Sequence, residues 1–136
     1  MNIPNSIELL QKYIIKENYK GYDPYDGLGT PLFKLPIFKS NKTIRFVFQQ
    51  IVKRLPVNFR SILKIKKGLN PVTLGLCLQS YSYLLKSNSY DNVFLKKEMD
   101  YIIEELQKLV SKDFSGPCWG YDFDWEARYS KINAYN

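Results

Sequence analysis

Two segments of this 136-residue chain place aromatic rings beside carboxylates. One lies between Gly21 and Gly27 and the other between Gly116 and Arg128, and both are rich in turn-forming residues. Sugars bind to such mixtures, because their C–H faces stack on rings while their hydroxyl groups need acceptors. The residues predicted to bind substrate are Tyr22, Asp23, Tyr25, Asp26, Trp119, Tyr121, Asp124 and Trp125. The competing interpretation is that the rings pack over helix ends and the aspartates cap turns.

The same segments contain the candidates for acid–base chemistry, which are Asp23, Asp26, Asp122, Asp124 and Glu126. Two carboxylates about 5–10 Å apart are the minimum for hydrolysing a glycosidic bond with an acid and a base. Because the sequence fixes no distance, it predicts no catalytic residue and leaves open whether the protein is an enzyme. Arg128 follows Asp124 by four positions, so a helix beginning there would pair the two charges.

The sequence offers little for metal or cofactor chemistry. The chain has no histidine, and its two cysteines, Cys77 and Cys118, form no CxxC motif. The acidic segments also lack the calcium-loop pattern, which needs acidic residues at fixed positions. The sequence therefore predicts no metal site, no cofactor and no disulfide scaffold.

Positive charge is concentrated in the middle of a chain whose net charge is +7. No acidic residue lies between Gly27 and Tyr90, while that stretch contains Lys34, Lys39, Lys42, Arg45, Lys53, Arg54, Arg60, Lys64, Lys66, Lys67 and Lys86. Such a block favours phosphate, an anionic glycan, an anionic membrane surface or an acidic protein as partner, unless it is only a soluble basic surface. Residues 34–67 support an alternative function as a peripheral membrane or assembly module. Nucleic acid ranks lower because no recognition motif accompanies the charge.

Hydrophobic periodicity predicts an all-α domain of antiparallel helical hairpins. The expected helices cover residues 5–19, 43–55, 71–86 and 91–111, with a shorter one over 58–66. The clearest start is Asn70, a good N-cap, followed by Pro71, whose missing N–H costs nothing at the first helical position. Residues 20–41 and 112–136 are then two long aromatic loops, the second with a strand or helix entry at 131–135.

The two longest predicted helices differ in their faces. Residues 71–86 carry apolar or aromatic side chains on nearly every side, which predicts burial all round, with Leu76 inside. Residues 91–111 have one apolar and one charged face, with Lys97 on the charged face. No segment has the roughly 20 apolar residues that span a bilayer. Residues 1–16 lack a signal-peptide pattern, so a cytoplasmic location is predicted.

Three motifs resemble those of one known family. They are Gly-Tyr-Asp-Pro-Tyr-Asp-Gly-Leu at 21–28, Leu-Pro-Val-Asn-Phe-Arg at 55–60 with Asn70-Pro71, and Cys-Trp-Gly-Tyr-Asp-Phe-Asp-Trp at 118–125. In this order they are similar to the N-terminal part of bacterial polysaccharide-biosynthesis-associated proteins, which often carry the label aminolevulinate dehydratase. The resemblance covers most of the chain. It implies a six-hairpin α/α toroid, of which residues 1–136 form a single helical domain that supplies the opening hairpins.

The resemblance also implies a function and a place for the site. It implies a carbohydrate-handling protein of capsular or lipopolysaccharide biosynthesis, with a glycan or sugar-linked substrate as partner. In such toroids the loops at one end of the inner helices line a central cleft, which would hold the eight predicted binding residues. Glu126 departs from the family pattern, because a more neutral residue is expected there.

A shared cleft predicts how the two aromatic loops meet. The rings expected within side-chain reach of each other are Tyr22 or Tyr25 from the first loop and Trp119, Tyr121 or Trp125 from the second. The carboxylates expected on the same rim, open to solvent, are Asp23, Asp26 and Asp124.

Overall fold

The computed structural model of the protein describes residues 3–88, 90–112 and 114–135. Its helices are α1 (Ile3–Lys16), α2 (Pro36–Ser40), α3 (Lys42–Arg54), α4 (Pro71–Ser87) and α5 (Asn92–Lys108), with 3₁₀ helices at Asp26–Gly29 and Pro31–Lys34. Its strands are β1 (Lys20–Gly21), β2 (Gly68–Leu69), β3 (Trp125–Glu126) and β4 (Lys131–Ile132). β1 pairs with β2 and β3 with β4, both antiparallel. The described chain is mostly helical, and none of its helices is long and apolar enough to cross a bilayer.

Side-chain caps explain where three of the helices begin. The side-chain oxygen of Asn41 accepts from Ile44 N at the start of α3, and that of Asn70 accepts from Val72 N at the start of α4. Asp91 caps α5 in the same way. Each cap satisfies an amide that has no partner inside the helix. The bounds of α3 and α4 therefore lie within one residue of the prediction, 42–54 against 43–55 and 71–87 against 71–86.

Left-handed backbone ends two other predicted helices early. α1 stops at Lys16 and not at residue 19, because Asn18 and Tyr19 have φ angles of 51° and 60°. The stretch 58–66 contains no helix: residues 60–64 form a turn, and Lys64, with a φ of 55°, lies at its end. A left-handed non-glycine residue costs about 1–2 kcal/mol and does not propagate a helix. Neither ending is visible in the hydrophobic pattern.

The hydrophobic core lies between α4 and α5. Leu74 and Tyr81 of α4 pack there with Leu95 and Ile102 of α5. Tyr19, which follows α1, completes the cluster, and its hydroxyl lies 2.9 Å from that of Tyr81. The bond lets two phenols share a buried site without an unsatisfied oxygen.

A second packing unit positions the residues of interest. α3 packs against the 3₁₀ helix Asp26–Gly29 and against β3. Its buried side chains there are Gln49 and Val52, and Leu28 of the 3₁₀ helix is also buried. Both aromatic segments thus pack on α3, and the 3₁₀ helix and β3 also contact each other.

The prediction that α4 is buried all round is wrong. Leu76 is 59% exposed, and Val72 and Tyr83 are exposed to a similar degree. These positions recur at helical spacing, so they form one apolar stripe, whereas Leu74 and Tyr81 face α5 and Tyr19. The sequence could not reveal this, because an apolar helix face has the same residue pattern whether or not another element covers it.

Candidate functional site

The two aromatic loops meet at Tyr25 and Trp125. Their ring centroids lie 6.1 Å apart, and the Tyr121 ring lies 6.3 Å from that of Trp125 in an edge-on arrangement. The predicted contact between the loops is therefore confirmed for Tyr25. Tyr22 lies elsewhere, because its ring faces the cationic groups of Arg60 and Lys67 at 5.7 and 5.8 Å.

Trp119 lies in a neighbouring groove of about 300 Å³ that Tyr121, Trp125 and Asn70 also line. The indole is 45% exposed, and its Nε1 donates to the carbonyl of Leu106 at 2.7 Å. That bond fixes one edge of the ring to the end of α5 and leaves much of the ring in solvent. The groove therefore has aromatic walls and one uncharged amide at its edge.

A larger cavity of about 730 Å³ lies next to this groove. Tyr22, Asp23 and Asp122 line it, and Asn70 lines both spaces. Asn70 Nδ2 donates to Asp23 Oδ2 at 3.0 Å, and Leu69 N donates to Asp122 Oδ2 at 3.1 Å. The two carboxylates are thus held by consecutive residues at the start of α4.

Asp26 does not lie open to solvent as expected. It is buried, and both of its oxygens accept from Arg60 Nε, at 2.8 and 3.0 Å. Asp23 N also donates to it at 3.1 Å. Burial raises the pKa of Asp26, and the bonds from Arg60 offset part of that rise. Its role is to fasten the first aromatic loop to the turn at residue 60.

Asp23 and Asp124 are half-buried and already have protein partners. Asp23 accepts from Tyr25 N at 2.9 Å, which is the turn-capping role of the competing interpretation. Asp124 pairs with Lys131 and accepts from Ala134 N. Burial alone would raise the pKa of Asp124, but these partners together lower it.

The expected pairing of Asp124 with Arg128 on a helix is wrong. β3 and β4 form a hairpin over these residues, so the four-residue spacing does not bring the two side chains together. The guanidinium of Arg128 instead lies 5.3 Å from the centre of the Tyr129 ring.

Glu126, one of the five carboxylates that the sequence offers for acid–base chemistry, lies in a buried ion pair. It is 2% exposed, and its Oε2 accepts from Arg45 Nε at 2.5 Å. Gln49 holds the same residue by its backbone, because Glu126 N donates to Gln49 Oε1 at 2.8 Å and Gln49 Nε2 donates to Glu126 O at 3.2 Å. Arg45 and Gln49 lie four positions apart on α3, so their side chains share one helix face. This spacing was the sequence signal that could have indicated a common partner.

Asp122, which lines the larger cavity, is a further candidate for acid–base chemistry. Burial raises the pKa of Asp122, and the nearby charge of Asp23 raises it further, against the bond from Leu69. A carboxyl with a raised pKa beside a second carboxyl is a combination that acid–base chemistry uses. A β-carbon on Gly68 would lie 1.9 Å from Asp122 Oδ2, so only glycine leaves room for this carboxylate.

Within residues 3–88, 90–112 and 114–135, no three acidic, cysteine or histidine side chains cluster as metal ligands would. Cys77 and Cys118 are both free thiols. The site therefore offers aromatic surfaces, amides, carboxylates and ammonium groups as its means of recognition. The chain matches no protein-family model, no curated protein and no solved structure.

Proposed function

We propose that the protein binds a glycan in the aromatic groove and acts as a carbohydrate-handling protein of capsular or lipopolysaccharide biosynthesis. The observation that carries this proposal is the meeting of Tyr25, Tyr121 and Trp125 beside the exposed ring of Trp119. The groove is concave, mostly apolar and edged by the amide of Asn70, which is the usual design of a small-molecule site.

Ring exposure favours binding over simple packing. Trp119 keeps 45% of its surface in solvent although its N–H is already bonded within the protein. Large rings left in contact with water cost free energy that a stacked sugar face recovers. The packing interpretation explains the position of Asp26, which pairs with Arg60, and one bond of Asp23, which caps the turn at Tyr25. The proposed contacts with sugar are therefore assigned to the rings and to Asn70.

The family resemblance supports the same function and a larger architecture. We place the chain in the cytoplasm, as part of an α/α toroid in which further helices cover exposed apolar faces. Two such faces are the stripe through Leu76 on α4 and the pair Leu9 and Leu10 on α1. Helices of a closed ring need apolar contacts on both sides, which supports this arrangement.

Titration with neutral oligosaccharides tests the proposal, with maltohexaose, cellohexaose and chitohexaose as probes. Binding should change the tryptophan fluorescence, since both tryptophans line the groove. Trp125→Ala should weaken binding at least about tenfold, because a lost ring contact is worth about 1.5 kcal/mol. Trp119 remains as the reporter in that variant.

Tyr83→Ala is the matched control, because Tyr83 is an exposed ring on α4 that does not line the groove. It should bind like the wild type. Equal weakening in both variants, or no fluorescence response to any probe, would contradict glycan binding in the groove.

A second function, as a peripheral membrane module, is favoured by the surface of α3. Phe46, Val47, Ile51 and Leu55 line an open groove of about 520 Å³ along this helix. Arg54 also lines it, and the 34–67 stretch to which the helix belongs contains basic residues but no acidic one. An exposed apolar face with flanking lysines and arginines is typical of helices that lie on anionic membranes.

Cosedimentation with phosphatidylserine vesicles tests this second function. The protein should sediment with these vesicles and not with neutral phosphatidylcholine vesicles, because basic residues add about 1 kcal/mol each near an anionic surface. Val47→Asp/Ile51→Asp should abolish sedimentation, whereas Leu76→Asp, an equally exposed change on α4, should not. Equal sedimentation with neutral vesicles would argue against this function.

A further inference from the structure

The larger cavity beside the groove has a lysine-rich wall. Lys20, Lys34, Lys64, Lys66 and Lys67 line it. Lys67 is paired with Glu17 at 2.5 Å. The ammonium groups of the other four make no ion pair or hydrogen bond with the described part of the chain. Four exposed lysines that line one cavity are thus available to a ligand.

Two of the four carboxylates that line this cavity already have cationic partners. Glu17 is paired with Lys67, and Asp26 is paired with Arg60. Asp23 and Asp122 remain, and both are held at the Asn70 end by bonds from Asn70 and Leu69. The four lysines without an ionic partner therefore outnumber these two carboxylates, which lie beside the residue that the cavity shares with the aromatic groove.

We propose that the cavity binds the phosphate group of a phosphorylated saccharide whose sugar lies in the aromatic groove. This inference rests on the proposed glycan binding and names the class of ligand. Lysine ammonium groups are strong donors to phosphate. Asp23 and Asp122 face the boundary at Asn70, where sugar hydroxyl groups need acceptors. The combined space is ample for a sugar with one or two phosphates.

Titrations followed by amide NMR test this proposal, with glucose, glucose 1-phosphate, glucuronate and inorganic phosphate as probes. Glucose 1-phosphate should shift the amides of residues 64–68 and 20–21, and bind at least about tenfold more tightly than glucose or inorganic phosphate. Glucuronate shows whether a carboxylate can replace the phosphate, and binding as tight as that of glucose 1-phosphate would overturn the assignment to phosphate.

Charge reversal on the cavity wall provides the matched comparison. Lys34→Glu/Lys64→Glu/Lys66→Glu should weaken glucose 1-phosphate binding at least about tenfold. The triple variant Lys86→Glu/Lys96→Glu/Lys97→Glu makes the same change in net charge on exposed lysines outside the cavity, and it should bind like the wild type. The single variant Lys66→Glu, which should show a smaller loss, serves if the cavity triple does not fold.

The outcomes separate this proposal from glycan binding itself. Equal losses in the two triple variants, or no advantage of glucose 1-phosphate over glucose, would overturn the phosphate site. Glycan binding would survive if neutral oligosaccharides still changed the tryptophan fluorescence. Glucose 1-phosphate that binds no more tightly than inorganic phosphate would break the link between cavity and groove and also overturn the proposal.

Discussion

Leu74→Ala should lower the free energy of unfolding by about 2–5 kcal/mol. Leu74 is fully buried between α4 and α5, in the cluster that contains Tyr81, Leu95 and Ile102. Truncating it removes buried apolar surface and leaves a cavity that the two packed helices cannot close. Urea denaturation followed by circular dichroism measures the loss.

Leu76→Ala provides the control, because it makes the same chemical change two positions along the same helix. Leu76 is mostly exposed, so this variant should lose less than about 1 kcal/mol. Comparable losses for the two variants would mean that both faces of α4 are covered in solution. That result would contradict the packing described here and favour the original expectation of an all-round buried helix.

Arg45→Met should destabilise the protein by about 3–5 kcal/mol, because it leaves the carboxylate of Glu126 buried without its cationic partner. The side chain of Glu126 is fully buried, and its Oε1 already accepts no hydrogen bond from the described residues. Urea unfolding at neutral pH measures the effect. The hydrogen bonds between the Gln49 side chain and the Glu126 backbone should persist, since Arg45 takes no part in them.

The double variant Arg45→Met/Glu126→Met should be more stable than Arg45→Met alone, because removing both charges leaves no buried ion. A double-mutant cycle gives the interaction free energy between the two side chains. Lys108→Met is a surface control: the Lys108 side chain is 65% exposed and pairs with Glu105, and its loss should cost less than about 1 kcal/mol. Additive losses at Arg45 and Glu126 would show that their contact contributes nothing.

Local signals in the sequence were sufficient for most helix starts. Asn70 followed by Pro71 predicts the first residue of α4, because a cap and a proline both act within one turn. The end of α1 was missed, because Asn18 is a weaker marker of left-handed backbone than glycine and Tyr19 is none. The exposure of the stripe through Leu76 was not predictable either, because an apolar pattern shows which faces of a helix can pack but not whether a partner is present.

The candidate site was predictable in composition and only partly in geometry. The mixture of rings and carboxylates identified both loops, and the shared cleft implied by the family resemblance predicted a contact such as that between Tyr25 and Trp125. The burial of Asp26 depends on Arg60, 34 positions away, and no local pattern indicates such a partner. The need for glycine at position 68, where a side chain would collide with Asp122, also depends on a residue far away in the sequence.

The pairing of Arg45 with Glu126 also sets an order of events during synthesis. At roughly 5–20 residues per second, the 81 positions between them take about 4–16 s to translate. For that time α3 can form on the ribosome, but Arg45 lacks its carboxylate and Gln49 lacks the strand that it binds. The surface formed by Arg45 and Gln49 is therefore open to chaperones, and the aromatic groove is completed only when residues 119–132 have left the exit tunnel.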